Sequence, residues 1–279
     1  MQVAVLASGS SGNALLVSAD DTHVLVDAGI SARRIARELG AVGVEPKDVR
    51  AVLVTHEHGD HVSGLGPFVR RHGAPVYATP GTHSRIARLL NGGEKSVAVE
   101  AGTTFSIGGL TISAFSVSHD CVDPVGYSFT DGEARLAVAT DLGVVGRNVR
   151  DHLSRADCVV LESNHDERML LDGPYPWHLK RRILSNVGHL SNEAAAVEID
   201  LLCDGGVSAL ILAHISRENN CPELAVETAS RVLEERGRSG VEVIAAGHDR
   251  VTGPVDIRRG ELLSADANTR EGVGTVCTR

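Results

Sequence analysis

The stretch Thr55-His56-Glu57-His58-Gly59-Asp60-His61 decides both the fold and the chemistry of this chain. The apolar residues before it, 51–54, predict a short, buried strand. Side chains alternate along an extended segment, so the first two histidines of the stretch point to the same side. The glycine then lets the backbone turn, and the last two side chains face a second position. Four of the seven residues are good ligands for divalent metals: His56, His58, Asp60 and His61.

Composition indicates a globular protein without a membrane segment. The chain has 279 residues, of which 42% are hydrophobic, and this length allows one large domain or two small ones. No apolar run approaches the ~20 residues that span a bilayer. Residues 1–5 lack the basic and apolar regions of a signal peptide, and the five cysteines are scattered without a CxxC pair. We therefore expect a cytoplasmic protein with reduced thiols.

The net charge of −9 excludes one class of nucleic-acid protein. A protein that coats DNA or RNA non-specifically needs a positive surface, which this chain does not have on average. A nuclease remains compatible with the charge. Two bound divalent ions would add about four positive charges at the place where a phosphate binds, and these dominate the local field.

Short apolar strands alternate with helical segments along the chain. A first run of strands begins at Val3 and a second ends at Thr140, with helices between them and after them. This order predicts an α/β fold in which two sheets pack face to face under outer helices, a four-layer αββα sandwich. Since no linker divides the chain, we expect a single domain over residues 1–263. Residues 264–279 are polar and glycine-containing and are predicted to form a frayed tail.

Further ligand candidates also follow apolar strands. His119 and Asp141 come directly after such runs, as His56 does, and strand ends collect catalytic residues in layered folds. A carboxylate such as Asp141 can bridge two cations held ~3.5–4 Å apart. A last histidine is expected after a late strand, where the chain offers both His214 and His248.

The pattern His-x-His-x-Asp-His after a strand resembles the signature of the metallo-β-lactamase fold. The resemblance implies two divalent metal ions, Mn²⁺ or Zn²⁺, and a way of sharing the ligands. One metal takes His56, His58 and His119, the other takes Asp60, His61 and His214, and Asp141 bridges them. Residues 213–217 resemble the fifth motif of ribonuclease Z-like enzymes, which favours His214 over His248.

Asp27 ends the third predicted strand, and in this fold an aspartate there supports a metal ligand from behind. Such support would fix the orientation of a ligand ring and raise its basicity. The same residue also stands just before the helical segment 31–39, where it would favour the start of a helix. The two roles are compatible.

Several later motifs resemble the YycJ/WalJ family over residues 6–220. They are Ser8–Asn13, His119-Asp120 before Pro124–Tyr127, Leu161–Asp166, Tyr175–Arg182, Gly188–Glu193 and His214–Asn220. The resemblance implies a cytoplasmic, metal-dependent 5′-to-3′ exonuclease on double-stranded DNA, with a role in mismatch repair. Its nucleophile would be a hydroxide that bridges the two metals, oriented by Asp60.

Gly188-His189-Leu190-Ser191 resembles the histidine motif that ribonuclease Z-like enzymes use near the scissile phosphate. His189 would then protonate the leaving oxygen, and Ser191 would contact the substrate. The alternative is structural, because Ser191 before Glu193 and an alanine-rich segment is good capping chemistry for a helix.

Trp177 and the basic run Lys180-Arg181-Arg182 form the main positive cluster near an aromatic residue. These four side chains are candidates to grip the backbone of a DNA substrate or to stack on a base. The alternative is a solvated helix face with Trp177 in the core.

Two other functions compete with the nuclease. The first is a metallohydrolase of a small molecule, such as a cyclic phosphodiester, lactone, thioester or lactam. A closed apolar pocket at the metals would favour it, whereas a basic groove favours a nuclease. The second is a regulatory module without activity, against which the complete set of ligand candidates argues.

Overall fold

Within residues 1–258 and 261–264, which the computed structural model describes, the strands form two mixed sheets. The first sheet contains β1 (Gln2–Ala7), β2 (Ala14–Ala19), β3 (Thr22–Val26), β4 (Val49–Leu53), β5 (Val76–Ala78), β6 (Ser96–Ala98), β14 (Thr252–Arg258) and β15 (Glu261–Ser264). The second contains β7 (Thr104–Ile107), β8 (Leu110–Ser116), β9 (Val125–Thr130), β10 (Arg135–Ala139), β11 (Cys158–Glu162), β12 (Ala209–Ala213) and β13 (Glu242–Ala245). The spatial orders are β15-β14-β1-β2-β3-β4-β5-β6 and β13-β12-β11-β10-β9-β8-β7.

Helices cover the outer faces of both sheets. They are α1 (Ala32–Ala41), α2 (Gly59–Val62), α3 (Leu65–His72), α4 (Pro80–Ile86), α5 (Arg147–Leu153), α6 (Glu167–Asp172), α7 (Trp177–Ile183), α8 (Asn192–Leu202) and α9 (Pro222–Glu235), with short 3-10 turns at Pro46–Asp48 and Ala87–Leu89. None of the helices in this described part is long and apolar enough to cross a membrane.

The buried apolar residues form three layers. The central layer joins the two sheets and contains Tyr127, which is fully buried. The second layer lies between the first sheet and its helices, where Ile35 of α1 and Phe68 of α3 pack. The third lies between the second sheet and helices α8 and α9, which contribute Ile199 and Leu233. Three apolar layers between four layers of structure confirm the predicted αββα sandwich.

Parallel pairing brings functional residues to one edge. In the second sheet β10, β11 and β12 are parallel neighbours, and β11 and β12 are buried along their whole length. In the first sheet β3 and β4 are parallel. Since parallel strands end on the same side of a sheet, the residues that follow β10, β11 and β12 come together. Those that follow β3 and β4 come together in the same way.

Some boundaries differ from the sequence-based expectation. The helix expected over 84–90 begins earlier, at Pro80, because the Thr79 side chain accepts a hydrogen bond from the backbone N–H of Thr82 and proline fits a first helical position. Strands β14 and β15 extend the first sheet beyond β1. The predicted tail lies outside the described residues except for Ser264.

The cysteines agree only in part with the expectation of reduced thiols. Cys121, Cys158 and Cys203 carry free thiols. Cys221 takes part in a disulfide, which the scattered spacing of the cysteines did not predict.

Candidate metal centre

Three residues of the site hold an unusual backbone conformation directly at strand ends. Asp27, Asp141 and His214 have φ angles of 60°, 58° and 54°, and the only other non-glycine residue with positive φ in the described chain is Asp20. Such backbones cost about 1–3 kcal/mol each and persist only where surrounding contacts enforce them. Their concentration at one edge of the sandwich marks that edge as functional.

The first donor group contains three histidines. His56, His58 and His119 lie together with Cys121, and one donor atom from each falls within 4.8 Å of the others. Nε2 of His119 is 3.2 Å from Nδ1 of His58. Two nitrogen ligands of a tetrahedral zinc ion would be about 3.4 Å apart, so this spacing suits a shared metal.

The second donor group contains Asp60, His61 and His214. Oδ2 of Asp60 is 3.6 Å from Nε2 of both histidines. Asp141 lies between the two groups, because its Oδ2 is 3.2 Å from Nε2 of His61 and its Oδ1 is 4.0 Å from Nε2 of His119. All seven sequence-predicted ligand candidates therefore converge, in the two groups expected, with Asp141 in a bridging position.

Asp27 orders the ligand rings from behind, on the inner side of the site. Its carboxylate accepts hydrogen bonds from the backbone N–H and hydroxyl of Thr55, both at 2.8 Å, and from Nδ1 of His61 at 2.8 Å. The Thr55 hydroxyl in turn accepts from Nδ1 of His56 at 3.0 Å. With the proton held on Nδ1, each ring directs the lone pair of Nε2 toward the other donors.

Glu162 performs the same task for the second sheet, although it was not among the site residues expected from the sequence. It ends β11, is fully buried, and its Oε1 accepts from Nδ1 of both His189 and His214 at 2.8 Å. Its Oε2 accepts from the backbone N–H of Leu142 at 3.0 Å. The signal was present, because a carboxylate closing a wholly apolar strand follows the rule that singled out Asp141.

Buried atoms without partners support metal binding. Nε2 of His56, Nε2 of His214 and Oδ2 of Asp141 are buried and have no hydrogen-bond partner. Buried polar atoms are nearly always satisfied, so unpaired donor atoms in these adjoining groups fit bound cations. His119 is held in the same way as the other histidines: its Nδ1 donates to the carbonyl of Gly188 at 3.1 Å, so its Nε2 is left for a metal ion. The donor set thus fits divalent metal ions.

Buried charges of both signs lie close together in the site, and each shifts the pKa of its neighbours. Burial lowers the pKa of His56 well below its usual value, so this ring is neutral. Burial also opposes protonation of His214, but Asp141, Asp60 and Glu162 raise its pKa to about 10. For Asp141, burial is outweighed by His214 and His61, which hold its pKa well below the usual range. Protons on these histidines offset the clustered carboxylates, a task that metal cations would take over.

The Ser8–Asn13 loop lines the site. Nδ2 of Asn13 lies 3.0 Å from Nε2 of His61, and Oδ1 of Asn13 accepts from the backbone N–H of Gly9 at 2.8 Å. The backbone N–H of Asn13 also donates to the carbonyl of Asp60 at 2.7 Å. Gly29 is required here, because a Cβ at that position would come within 1.6 Å of the same carbonyl oxygen.

The four substrate-binding candidates on helix α7 differ in their exposure to solvent. Trp177 is 58% exposed, which excludes the alternative that it packs in the core, and Arg181 is exposed as well. Lys180 is only 7% exposed, and its ammonium group donates to the carbonyls of Leu171 and Gly173 at 2.6 and 2.8 Å. The expectation that Lys180 contacts substrate is therefore wrong, because this side chain anchors α7 to the end of α6.

Two further candidates have structural partners. Arg182 forms a bidentate ion pair with Asp120, beside the metal-ligand candidates, rather than presenting a free charge. Ser191 is 5% exposed and caps α8 by accepting from the backbone N–H of Ala194 at 3.1 Å. Its hydroxyl donates to Glu167. The capping alternative thus describes Ser191, and a direct substrate contact does not fit its burial.

The remaining histidines take separate positions. His189 lies between the two donor groups, with its ring centroid 5.2 Å from that of His119 and 5.0 Å from that of His214. His248 donates from Nδ1 to the carbonyl of Ser8 at 2.9 Å, outside both groups. His165 is buried, and neither of its ring nitrogens has a hydrogen-bond partner.

Comparison with known proteins agrees with this geometry. The model of the β-lactamase superfamily domain matches residues 22–215, a range that contains both donor groups. The exodeoxyribonuclease YycJ of Bacillus anthracis is 39% identical over 239 residues, which cover 85% of this chain and 90% of the relative. The chain belongs to the YycJ/WalJ family of the β-lactamase superfamily. The exodeoxyribonuclease WalJ of Streptococcus pneumoniae is 37% identical over 236 residues, or 83% of this chain and 87% of WalJ.

Solved structures support the fold independently. The metallo-β-lactamase fold protein YhfI of Bacillus subtilis superposes with a TM-score of 0.70 over 90% of this chain and 98% of its own, at 20% identity. At that identity the similarity concerns the fold alone. The fold and family expected from the sequence are therefore confirmed.

Proposed function

We propose that this protein is a metal-dependent phosphodiesterase that removes nucleotides from the 5′ end of double-stranded DNA, with two divalent ions per chain. The observation that carries the proposal is the convergence of seven donor side chains in a chain that is 37–39% identical to exodeoxyribonucleases over most of its length. A place in DNA mismatch repair belongs to the same proposal and rests on the family resemblance.

Zinc and manganese both suit the proposed ligands. His56, His58 and His119 offer imidazole nitrogens, which favour zinc. Asp60 and Asp141 add hard oxygen donors to the other side, and these accept manganese as well. When bound, the ions supply a lowered pKa for an attacking water and positive charge beside the phosphate.

Asp60 is suited to orient the attacking water. Its side chain is 24% exposed, so it reaches solvent while most other donors are buried. Burial opposes ionisation, but the neighbouring His214 and His61 lower its pKa. The carboxylate is therefore ionised at neutral pH and accepts a hydrogen bond from a water that approaches the phosphorus.

His189 is suited to protonate the leaving oxygen. Burial alone would raise the pKa of Glu162, but His189 and His214 lower it to about 2, so the carboxylate stays ionised. It holds one proton of His189 on Nδ1, so the second proton of the imidazolium form, on Nε2, is the one that can pass to the leaving oxygen. The side chain is 18% exposed and lies at the solvent side of the donor groups.

Helix α7 provides the proposed DNA contact. Trp177 offers an exposed aromatic surface for stacking, and Arg181 offers a cation for the backbone. The two residues are four apart, so they share one face of the helix. The positive charge of Arg181, together with the bound ions, would attract the phosphate backbone of DNA although the net charge of the chain is −9.

The test uses duplex DNA labelled at either its 5′ or its 3′ end, and matched RNA, incubated with manganese or zinc. We expect stepwise release from the 5′ end of DNA that requires metal. The variants Asp60→Ala and His61→Ala serve as controls and should be inactive. If the metal-loaded protein cleaves no nucleic acid, the nuclease proposal fails, and small esters and cyclic phosphodiesters become the substrates to test.

A further inference from the structure

Four exposed aliphatic side chains lie on loops that adjoin one another near His119. Val122, Val144, Leu184 and Val187 are 48%, 43%, 41% and 41% exposed. In the part of the chain whose side chains are described, large hydrophobic residues with comparable exposure otherwise occur only at Val97, Leu171, Trp177, Val197 and Leu201. We call the group Val122, Val144, Leu184 and Val187 the apolar rim. Four such residues on adjoining loops differ from the single exposed apolar residues that are normal on a surface, and this placement points to an interaction site.

Three interlocked loops carry this rim. The Ser118 hydroxyl donates to the carbonyl of Asn186 at 2.8 Å, and the backbone N–H of Gly143 donates to the carbonyl of Ser118 at 2.9 Å. The backbone N–H of Asp120 donates to the carbonyl of Val187 at 3.1 Å. A Cβ on Gly143 would lie 2.3 Å from the carbonyl oxygen of Ser185, so these loops are in direct contact.

The same loops position the reacting groups. His119 donates from Nδ1 to Gly188, the residue that follows Val187 and precedes His189. One short segment therefore joins the rim, a proposed metal ligand and the proposed general acid. A group that binds on the rim lies next to the place where the phosphate would be cut.

Charge and helix geometry favour DNA as the occupant of the rim. Lys180 is buried and Arg182 is paired with Asp120, so Arg181 is the exposed cation that this segment offers to a DNA backbone. Trp177 and Arg181 of α7, and Leu184 directly after its end, follow the spacing i, i+4 and i+7, and all three are exposed. An aromatic, a cation and an aliphatic residue thus lead along one helix face to the rim.

We propose that the apolar rim is a strand-separating wedge that binds the terminal base pair of a DNA duplex. This inference rests on the proposed exonuclease function. His56, His61 and His119 are 1%, 0% and 6% exposed, so a phosphate must be drawn inward to reach them, away from the paired strand. Unpairing and unstacking the last base pair costs free energy, and contact between the freed base and aliphatic side chains offsets this cost.

The test compares two substrates and two double variants. The substrates are a blunt duplex and the same duplex with mismatched terminal pairs, which are already open. The variant Leu184→Ser/Val187→Ser removes part of the rim. The control Val197→Ser/Leu201→Ser makes the same changes at exposed positions of α8, 60% and 47% exposed.

We expect the rim variant to lower kcat/KM for the blunt duplex about tenfold, and for the open duplex less than about twofold. The control should change neither value. Equal slowing on both substrates, or no slowing on either, would overturn the wedge. A change in the oligomeric state of the rim variant, seen by light scattering, would also overturn it, because the rim would then contact a second copy of the chain.

A binding measurement keeps the wedge separate from the nuclease. A fluorescent aminopurine in the terminal pair brightens when it unstacks, and stopped-flow mixing with metal-loaded protein records this before cleavage. Wild-type and control protein should give the increase, and the rim variant should not. An absence of any increase with wild-type protein contradicts the wedge, whereas cleavage of DNA in the first assay still supports the nuclease.

Discussion

The metal centre and the exposed face of α7 differ in how their side chains are held. In the metal centre each of His56, His61 and His214 is buried and has a partner on Nδ1 that fixes its orientation. On α7, Trp177 and Arg181 extend into solvent, with the helix anchored by Lys180 beneath them. The proposed chemistry, which needs fixed geometry, would thus lie at strand ends, and the proposed substrate contact on a surface that can adapt.

Asp141→Asn should have the largest effect, because it removes the charge of the one carboxylate placed between both donor groups. We expect kcat on 5′-labelled duplex DNA to fall at least about a thousandfold, since two-metal catalysis supplies several kcal/mol of barrier reduction. Asp151→Asn, at an exposed position on α5, is the matched control and should retain full activity. Activity within tenfold of wild type would show that Asp141 is no bridge.

Asp27→Asn tests the hydrogen bonds that orient the histidine rings, without changing any proposed metal ligand. The amide no longer accepts the proton of His61 as a carboxylate does, and we expect metal affinity to fall about 10–100-fold. Competition with a chelator measures the change. Asp20→Asn is the control, because Asp20 also has positive φ but lies in an exposed turn. Equal loss in both variants would mean that backbone strain, rather than the contact with His61, sets the affinity.

Helix α7 offers a test within one element. Trp177→Ala and Arg181→Ala should raise KM for DNA about fivefold to tenfold, with unchanged thermal stability, because a stacking contact contributes ~1–3 kcal/mol. Lys180→Ala should do the opposite. It leaves two carbonyls without their donor and should lower the free energy of unfolding by about 1–3 kcal/mol with little change in KM. If all three variants changed KM and the free energy of unfolding alike, exposed and buried residues of α7 would not have the separate roles proposed here.

His165 predicts a smaller effect, on stability alone. Burial lowers its pKa to about 4, so the folded state favours the neutral ring. The unfolded chain has the ordinary value of about 6.5, so it takes up the proton first and stability is lost as pH falls from about 6.5 to 4. At pH 5 wild-type protein should have lost about 2 kcal/mol relative to pH 7 that His165→Gln does not lose. Urea unfolding at both pH values measures the difference, and the exposed His178→Gln should behave like wild type. Parallel losses in wild type and His165→Gln would refute this role.

The sequence predicted the convergence of the donor side chains better than the exposure of the residues on α7, for a physical reason. A ligand candidate such as His56 or Asp141 follows a buried apolar run, so the period of the strand determines where the side chain lies. Glu162 followed the same rule and was still overlooked, because a single carboxylate on a strand carries no motif. The basic run on α7 was predicted as one unit, although its members point to different sides of a helix. A short amphipathic helix of seven residues gives too few turns to tell from the sequence which of its basic residues is buried.

Metal content tests the central claim most directly, namely that two ions bind in separate groups bridged by Asp141. Elemental analysis after dialysis should find about two ions per chain in wild-type protein and about one in each of His58→Ala and His214→Ala, which remove one ligand from opposite groups. A single ion in wild-type protein, or two ions retained in both variants, would contradict the two-metal centre.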